Sequence, residues 1–269
     1  MINPVLKQAF LAATFLLPVC APVAAGAPPG WELVWSDEFN GHALDASKWE
    51  FEVNARGGGN NELQYYVSNN VRVRDGFLSI EARREHYTGP EGTRDYTSSR
   101  IRTRTKGDWT HGRFDIRAKL PKGKGIWPAI WMMPTDERYG GWPKSGEIDI
   151  MELLGHEPNK VHGTLHYGDA AKRHASRGAS HTLAQGSFAD DFHVFRLDWE
   201  PGAMSWYVDD HLYQTQTNWP TGAFPAPFDQ RFHLILNLAV GGNWPGNPDS
   251  TTIFPQSMAV DYVRVYRKK

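Results

Sequence analysis

The segment Gly146-Glu-Ile-Asp-Ile-Met-Glu152 sets three carboxylates inside an otherwise apolar run. Few backbones accept that pattern. On a strand, Glu147 and Asp149 would share one face while Ile148 and Ile150 share the other. Strict alternation would then carry Glu152 to the isoleucine face, where a buried carboxylate is costly. One extra residue near Ile150 and Met151, a β-bulge, returns Glu152 to the side of the other acids. The segment therefore predicts a strand with an apolar core face, an acid-lined open face and a bulge.

Two carboxyl groups facing each other across a glycosidic bond are what glycoside hydrolysis requires, one ionised and one protonated. Crowded acids divide in that way because neighbouring like charges raise at least one pKa. Two other readings fit these residues alone. One is a solvated acidic strand face. The other is a divalent metal site, although no histidine or further aspartate stands nearby in sequence to complete a ligand set.

The neighbouring residues bear on that choice. Gly125-Ile-Trp-Pro-Ala-Ile-Trp-Met-Met133 precedes the acids, and Gly140-Gly-Trp-Pro143 lies between the two segments. Flat aromatic faces suit the C–H-rich faces of pyranose rings. With 11 Trp in the chain, some must also serve as core, so each ring taken singly is open to either use.

The rest of the chain reads as strands. Phe77–Arg83, Gly112–Leu120, Val194–Trp199, Met204–Val208 and Val260–Tyr266 alternate apolar and polar residues. Asp75-Gly76, Pro201-Gly202, Asp209-Asp210 and Asn247-Pro248 supply turn signals. No long helical period, internal repeat or linker is present. The expectation is an all-β sandwich, and 269 residues suit a single domain of that class. A formal net charge of −1 without a basic patch argues against nucleic acid. Gly57-Gly-Gly-Asn-Asn61 lacks the Lys-Ser/Thr of a phosphate loop, and amides set against sugar hydroxyls fit it better.

Residues 1–25 have a different character. Lys7, the apolar run Ala9–Leu17 and the small residues ending in Val23-Ala-Ala25 describe a cleaved secretory signal peptide. The run is short for a membrane span. The one cysteine, Cys20, lies in this leader, so residues 28–269, expected to form one catalytic domain, have no thiol. Secretion, periplasmic or extracellular, is expected, with no membrane association after cleavage.

Taken together, Trp127-Pro-Ala-Ile-Trp-Met132 and Glu147-Ile-Asp-Ile-Met-Glu152 resemble glycoside hydrolase family 16, and within it the bacterial endo-β-1,3-glucanases. Trp35-Ser-Asp-Glu-Phe-Asn-Gly41, Asn60-Asn-Glu-Leu-Gln-Tyr-Tyr66, Ser99-Arg-Ile101, His162-Gly-Thr-Leu-His-Tyr167, Leu236–Gly246 and Asp261-Tyr-Val-Arg-Val-Tyr266 match in the same order. The resemblance implies a concanavalin A-like jelly roll with a concave substrate groove. It implies a retaining endo-1,3-β-D-glucanase with Glu147 as nucleophile, Glu152 as acid/base and Asp149 between them. Asn60, Arg100, Trp127, Trp131, Trp142, His166, Asn237 and Trp244 become groove residues for a β-glucan chain. Gly58 or Gly59 stands where relatives often carry a tryptophan.

No organic cofactor is implied. A structural Ca²⁺ is, held by Glu38, a main-chain carbonyl at Gly76 and Asp261. A monomer is expected. Two alternatives stay open. One is a non-catalytic β-glucan-binding protein, which would typically lack the glutamates. The other is a hydrolase or transglycosylase of mixed-linkage glucan, agar or carrageenan. The five-residue step from Glu147 to Glu152 argues against the mixed-linkage enzymes, whose strand is usually regular.

Overall fold

The computed structural model describes residues 26–269, so the expected leader at 1–25 lies outside the described residues. Two antiparallel sheets dominate. One runs in the order His211–Gln216, Ala203–Val208, His193–Glu200, Gly112–Lys119, Gln256–Lys268, Phe77–Ala82 and Val71–Arg74, with Trp31–Asp37 also on Gln256–Lys268. The other runs His174–Thr182, Lys160–Gly168, Glu147–Leu153, Ile126–Pro134, Phe232–Val240, Arg100–Arg102 and Glu50–Phe51. Chain neighbours are often not sheet neighbours, as a jelly roll demands. Among the described residues no helix is long and apolar enough to cross a membrane.

The alternating residues do what their pattern dictates. Phe114 and Ile116 of one sheet, with Leu197, Val263 and Val265, meet Ile130, Met132, Ile148, Leu234, Leu236 and Leu238 of the other, all fully buried. Each such side chain contributes about 1.5–3 kcal/mol relative to exposure. The turn signals hold as well. Asp75 and Gly76 both take positive φ, 54° and 81°, and join Val71–Arg74 to Phe77–Ala82 as a two-residue hairpin. The final strand is longer than its alternation suggests, Gln256–Lys268, because it forms ladders with three different strands.

The bulge is where the carboxylate spacing requires it. On one side Ala129 faces Glu152 and Trp131 faces Asp149, so Ile150 has no cross-strand partner. On the other side Asp149 faces Thr164 and Glu152 faces His162, which leaves Ile150 and Met151 opposite Gly163 alone. Both extra side chains turn inwards and are buried. The Asp149 carbonyl is not orphaned, because Trp206 of the opposite sheet donates its indole N–H to it at 2.8 Å. Gly163 leaves room for that ring, since a Cβ there would lie 2.5 Å from Trp206 Cδ1.

Trp206→Phe should therefore cost about 1–3 kcal/mol for the unpaired buried carbonyl alone. At roughly 2–4 °C per kcal/mol for a protein of this size, thermal denaturation should show the loss. Turnover should fall with it, because the bulge aims Glu152. An unchanged melting temperature together with unchanged turnover would mean that the bulge holds its shape without this bond.

Candidate active site

All three acids open onto one groove. Its lining includes Asn60, Arg100, Trp127, Trp131, Glu147, Asp149, Glu152 and Asn237. Glu147 is partly open, whereas Asp149 and Glu152 are 2% and 9% exposed. Each glutamate has its own indole donor. Trp142 Nε1 donates to Glu147 Oε2 at 2.7 Å, and Trp127 Nε1 donates to Glu152 Oε1 at 3.1 Å.

Electrostatics follow from crowding in a dry cleft. Burial, then the charge of Asp149, pushes Glu147 up to about 8, while His166 and the Trp142 N–H pull it back. Glu152 is driven well above the carboxylate range by burial first and then by Asp149 and Glu147. Burial also raises Asp149, and a hydrogen bond with Glu147 opposes the rise. The group therefore retains protons at neutral pH that isolated carboxylates would lose.

The aromatic residues divide into two kinds. Trp127, expected as a sugar platform, is only 8% exposed and packs edge-on to Trp244 at 5.5 Å. Trp131 is fastened by its N–H to Asn237 Oδ1 at 2.7 Å, and one face is covered by Arg100 at 4.7 Å. Arg100 itself lies 3.2 Å from Glu52. Trp142 and Trp244, 51% and 42% exposed, are the rings open to a pyranose. Asn237 has its amide engaged on both sides, accepting from Trp131 and donating to the Tyr66 hydroxyl at 3.1 Å.

Several contributors were not singled out from sequence. Glu62 is buried and accepts from Gln64 at 2.6 Å and from Tyr66 at 3.1 Å, which completes a network behind Trp131. Its place in the Asn60–Tyr66 motif was the available signal. Of the two glycines that stand where relatives often carry a tryptophan, Gly58 has φ +57° and a Cβ there would fall 2.1 Å from the Glu62 carboxylate, whereas a Cβ at Gly59 (φ +78°) would meet nothing. A side chain at Gly58 would have to displace the Glu62 carboxylate. His162, which opens the matching segment His162–Tyr167, packs edge-on to Trp244 at 5.0 Å.

His166 arrives where sequence spacing showed no histidine. It sits opposite Glu147 in the ladder, with Nε2 3.2 Å from Asp149 Oδ2. Ligand atoms of Glu147, Asp149 and His166 all lie within 4.8 Å of one another. The third member of the ligand set, absent along the chain, is thus present in space.

The expected calcium residues lie on the opposite sheet and its connecting turns. Asp261 lies one residue beyond Val260, which faces Leu78, and Gly76 lies in the adjoining turn. Glu38 does not fit the ligand role expected of it. Both of its carboxylate oxygens are held by Arg264, at 2.9 and 2.7 Å. Arg117 engages Asp261 Oδ2 at 2.6 Å.

A family model of glycosyl hydrolases family 16 matches residues 59–264, which covers most of both sheets and every acid of the groove. The chain belongs to glycosyl hydrolases family 16. The family 16 chain is 49% identical over 254 residues to a β-glucanase of Rhodothermus marinus, covering 89% of this chain and 86% of that protein. It is 46% identical over 242 residues to a glucan endo-1,3-β-glucosidase of Cryptopygus antarcticus, covering 86% and 88%. It superposes on the laminarinase catalytic domain of Thermotoga maritima with a TM-score of 0.81 at 44% identity, covering 89% of this chain and 99% of that one. A family 16 glycoside hydrolase accounts for the sandwich, the bulged acid strand and the groove together.

Proposed function

We propose that this chain is a secreted endo-1,3-β-D-glucanase that cleaves laminarin-type glucans with retention of anomeric configuration. The observation that carries the reading is the pair Glu147 and Glu152 on one groove wall, with Asp149 between them and a separate indole donor on each. Similarity to proteins described as 1,3-β-glucan hydrolases supports the substrate class. The leader at 1–25 supports export.

Glu147 attacks the anomeric carbon in its ionised form, the minor form at neutral pH for a carboxyl pushed up to about 8, while the bond to the leaving oxygen breaks. Glu152 gives that oxygen its proton, which suits a carboxyl held protonated by burial and by its neighbours. Glu152, now ionised, takes a proton from water. The water oxygen bonds to the anomeric carbon and the ester to Glu147 breaks, which restores both residues. Asp149 faces the nucleophile and hydrogen-bonds it, so it tunes the charge on Glu147. Trp142 and Trp244 offer the exposed ring faces. No organic cofactor enters the scheme.

The test is a panel of laminarin, mixed-linkage glucan, agar and carrageenan, with product chromatography and proton NMR of the first anomer formed. Laminarin should be cleaved internally and should yield the β-anomer first. An α-anomer as first product would overturn retention, and inertness on laminarin with cleavage of a galactan would overturn the substrate. Sequencing the N-terminus of exported protein checks the leader.

A structural calcium ion is a separate proposal. Asp261 with main-chain oxygen at Gly76 suits a hard cation, whereas the Glu38 side chain does not. A cation bound only by the folded state stabilises it by mass action. EDTA should lower the melting temperature and added Ca²⁺ should restore it. Asp261→Ala should abolish that response while leaving turnover at low temperature near the parent value. No shift with EDTA, and no calcium by elemental analysis, would remove the site.

A further inference from the structure

His174 stands on the edge strand His174–Thr182, exposed, and nothing in the scheme above uses it. Its imidazole lies edge to edge with that of His166, with centroids 5.1 Å apart and planes 15° apart. Its Nε2 lies 2.8 Å from His166 Nδ1. The Trp142 ring packs against its other side at 4.7 Å. Beyond His166, Asp149 Oδ2 is fully buried, and among the described residues it has no aligned hydrogen-bond partner although His166 Nε2 is 3.2 Å away.

We propose that His174 is a positioning residue of the reaction, fixing which nitrogen of His166 carries the proton that faces Asp149. The inference rests on the catalytic assignment of Glu147, Asp149 and Glu152. Asp149 Oδ2 needs a donor, so His166 must present Nε2–H. A neutral His166 with that proton has a bare Nδ1, which then needs a donor of its own. His174 Nε2–H supplies it. The second nitrogen of a functional histidine is commonly held in this way, and its partner decides the tautomer.

The charged groups that face His166 are Glu147, Asp149 and Glu152 from the acid strand, with His174 from the edge strand. A chain of groups thus links the groove rim to the nucleophile: His174, His166, Asp149, Glu147. Trp142 ties its ends together, because it packs on His174 and donates to Glu147.

Three substitutions separate the possible roles of His174. His174→Gln keeps an N–H donor near the Nε2 position. His174→Phe keeps a ring for Trp142 and His166 but has no donor. His174→Ala has neither. Positioning through the proton predicts that Phe and Ala behave alike, with kcat on laminarin down about tenfold or more, equivalent to at least ~1.4 kcal/mol in the barrier, and KM within about twofold.

The acid limb of their pH profile should move to higher pH, because losing a donor on Asp149 raises the carboxyl pair. Gln should restore both kcat and the limb. Nitrogen-15 NMR of His166 should report an unprotonated Nδ1 in the parent and a redistributed proton in the Phe variant. If Phe matches the parent and only Ala is impaired, His174 is packing for Trp142 and the proposal fails. It also fails if KM alone rises, since His174 would then be a sugar contact. Parent enzyme and Glu147→Gln run in the same assay show whether the catalytic assignment holds, and the His166 spectra test the relay without reference to any substrate.

Discussion

Glu147→Gln should fold as the parent does and lose turnover by more than about a thousandfold, roughly 4 kcal/mol of barrier. The amide cannot form a glycosyl ester, and no other carboxylate stands where Glu147 does. Asp149 is buried beside it and engaged with it. Reducing-sugar release from laminarin measures the loss. A fall below about tenfold would be too small for a covalent nucleophile.

The same variant should be more stable than the parent, and the sign can be worked out. The folded Glu147 titrates near 8, above its ordinary value of 4.5. Between those values the folded state binds more protons than the unfolded one, so stability falls as pH rises through that window. Glutamine removes the penalty. The gain in melting temperature should be largest above pH 8 and vanish below about pH 4. A pH-independent gain would point to packing and not to charge. Such a trade of stability for function is common at active sites.

Glu152→Ala should divide the two halves of the reaction. Laminarin, whose leaving sugar needs a proton, should lose turnover by about a hundredfold to ten-thousandfold. An aryl β-glucoside of adequate length with a good leaving group should retain its first step, because that oxygen departs without help. The glycosyl-enzyme then accumulates, since no base activates water. Azide should restore turnover and yield a β-glycosyl azide. Equal losses on both substrates with no azide response would count against the acid/base role. Trp127 offers a graded control. Its N–H is bonded to Glu152 and opposes the rise in that residue's pKa. Trp127→Phe should therefore shift the alkaline limb of the pH profile upwards.

Much of this was legible before any coordinates. Alternation set the strands, and the two-residue turn at Asp75-Gly76 was recoverable because glycine and aspartate tolerate positive φ. The bulge was legible for a different reason. Three acids and two isoleucines cannot all satisfy a two-residue period, and only one insertion point spares Glu152 from the core. What the pattern left open was the use of each tryptophan. Trp127 and Trp131 line the groove beside the acids, yet both rings are tied down by hydrogen bonds or covered by neighbours. The open rings, Trp142 and Trp244, come from loops whose direction no period encodes.

The sequence by itself determined the strands, the bulged acid strand and the order of its three carboxylates, because these follow from the polarity of residues a few positions apart. Only the tertiary structure decided what surrounds them. His166 reaches Asp149 across a strand ladder, His174 reaches His166 across the next, and Trp206 caps the bulge from the other sheet. Glu38 is likewise taken by Arg264, 226 positions away. Those partners are chosen by sheet order and register, which depend on how the whole chain closes around its core. A residue-by-residue pattern carries the local period but not the choice of neighbour, and the chemistry of this groove depends on both.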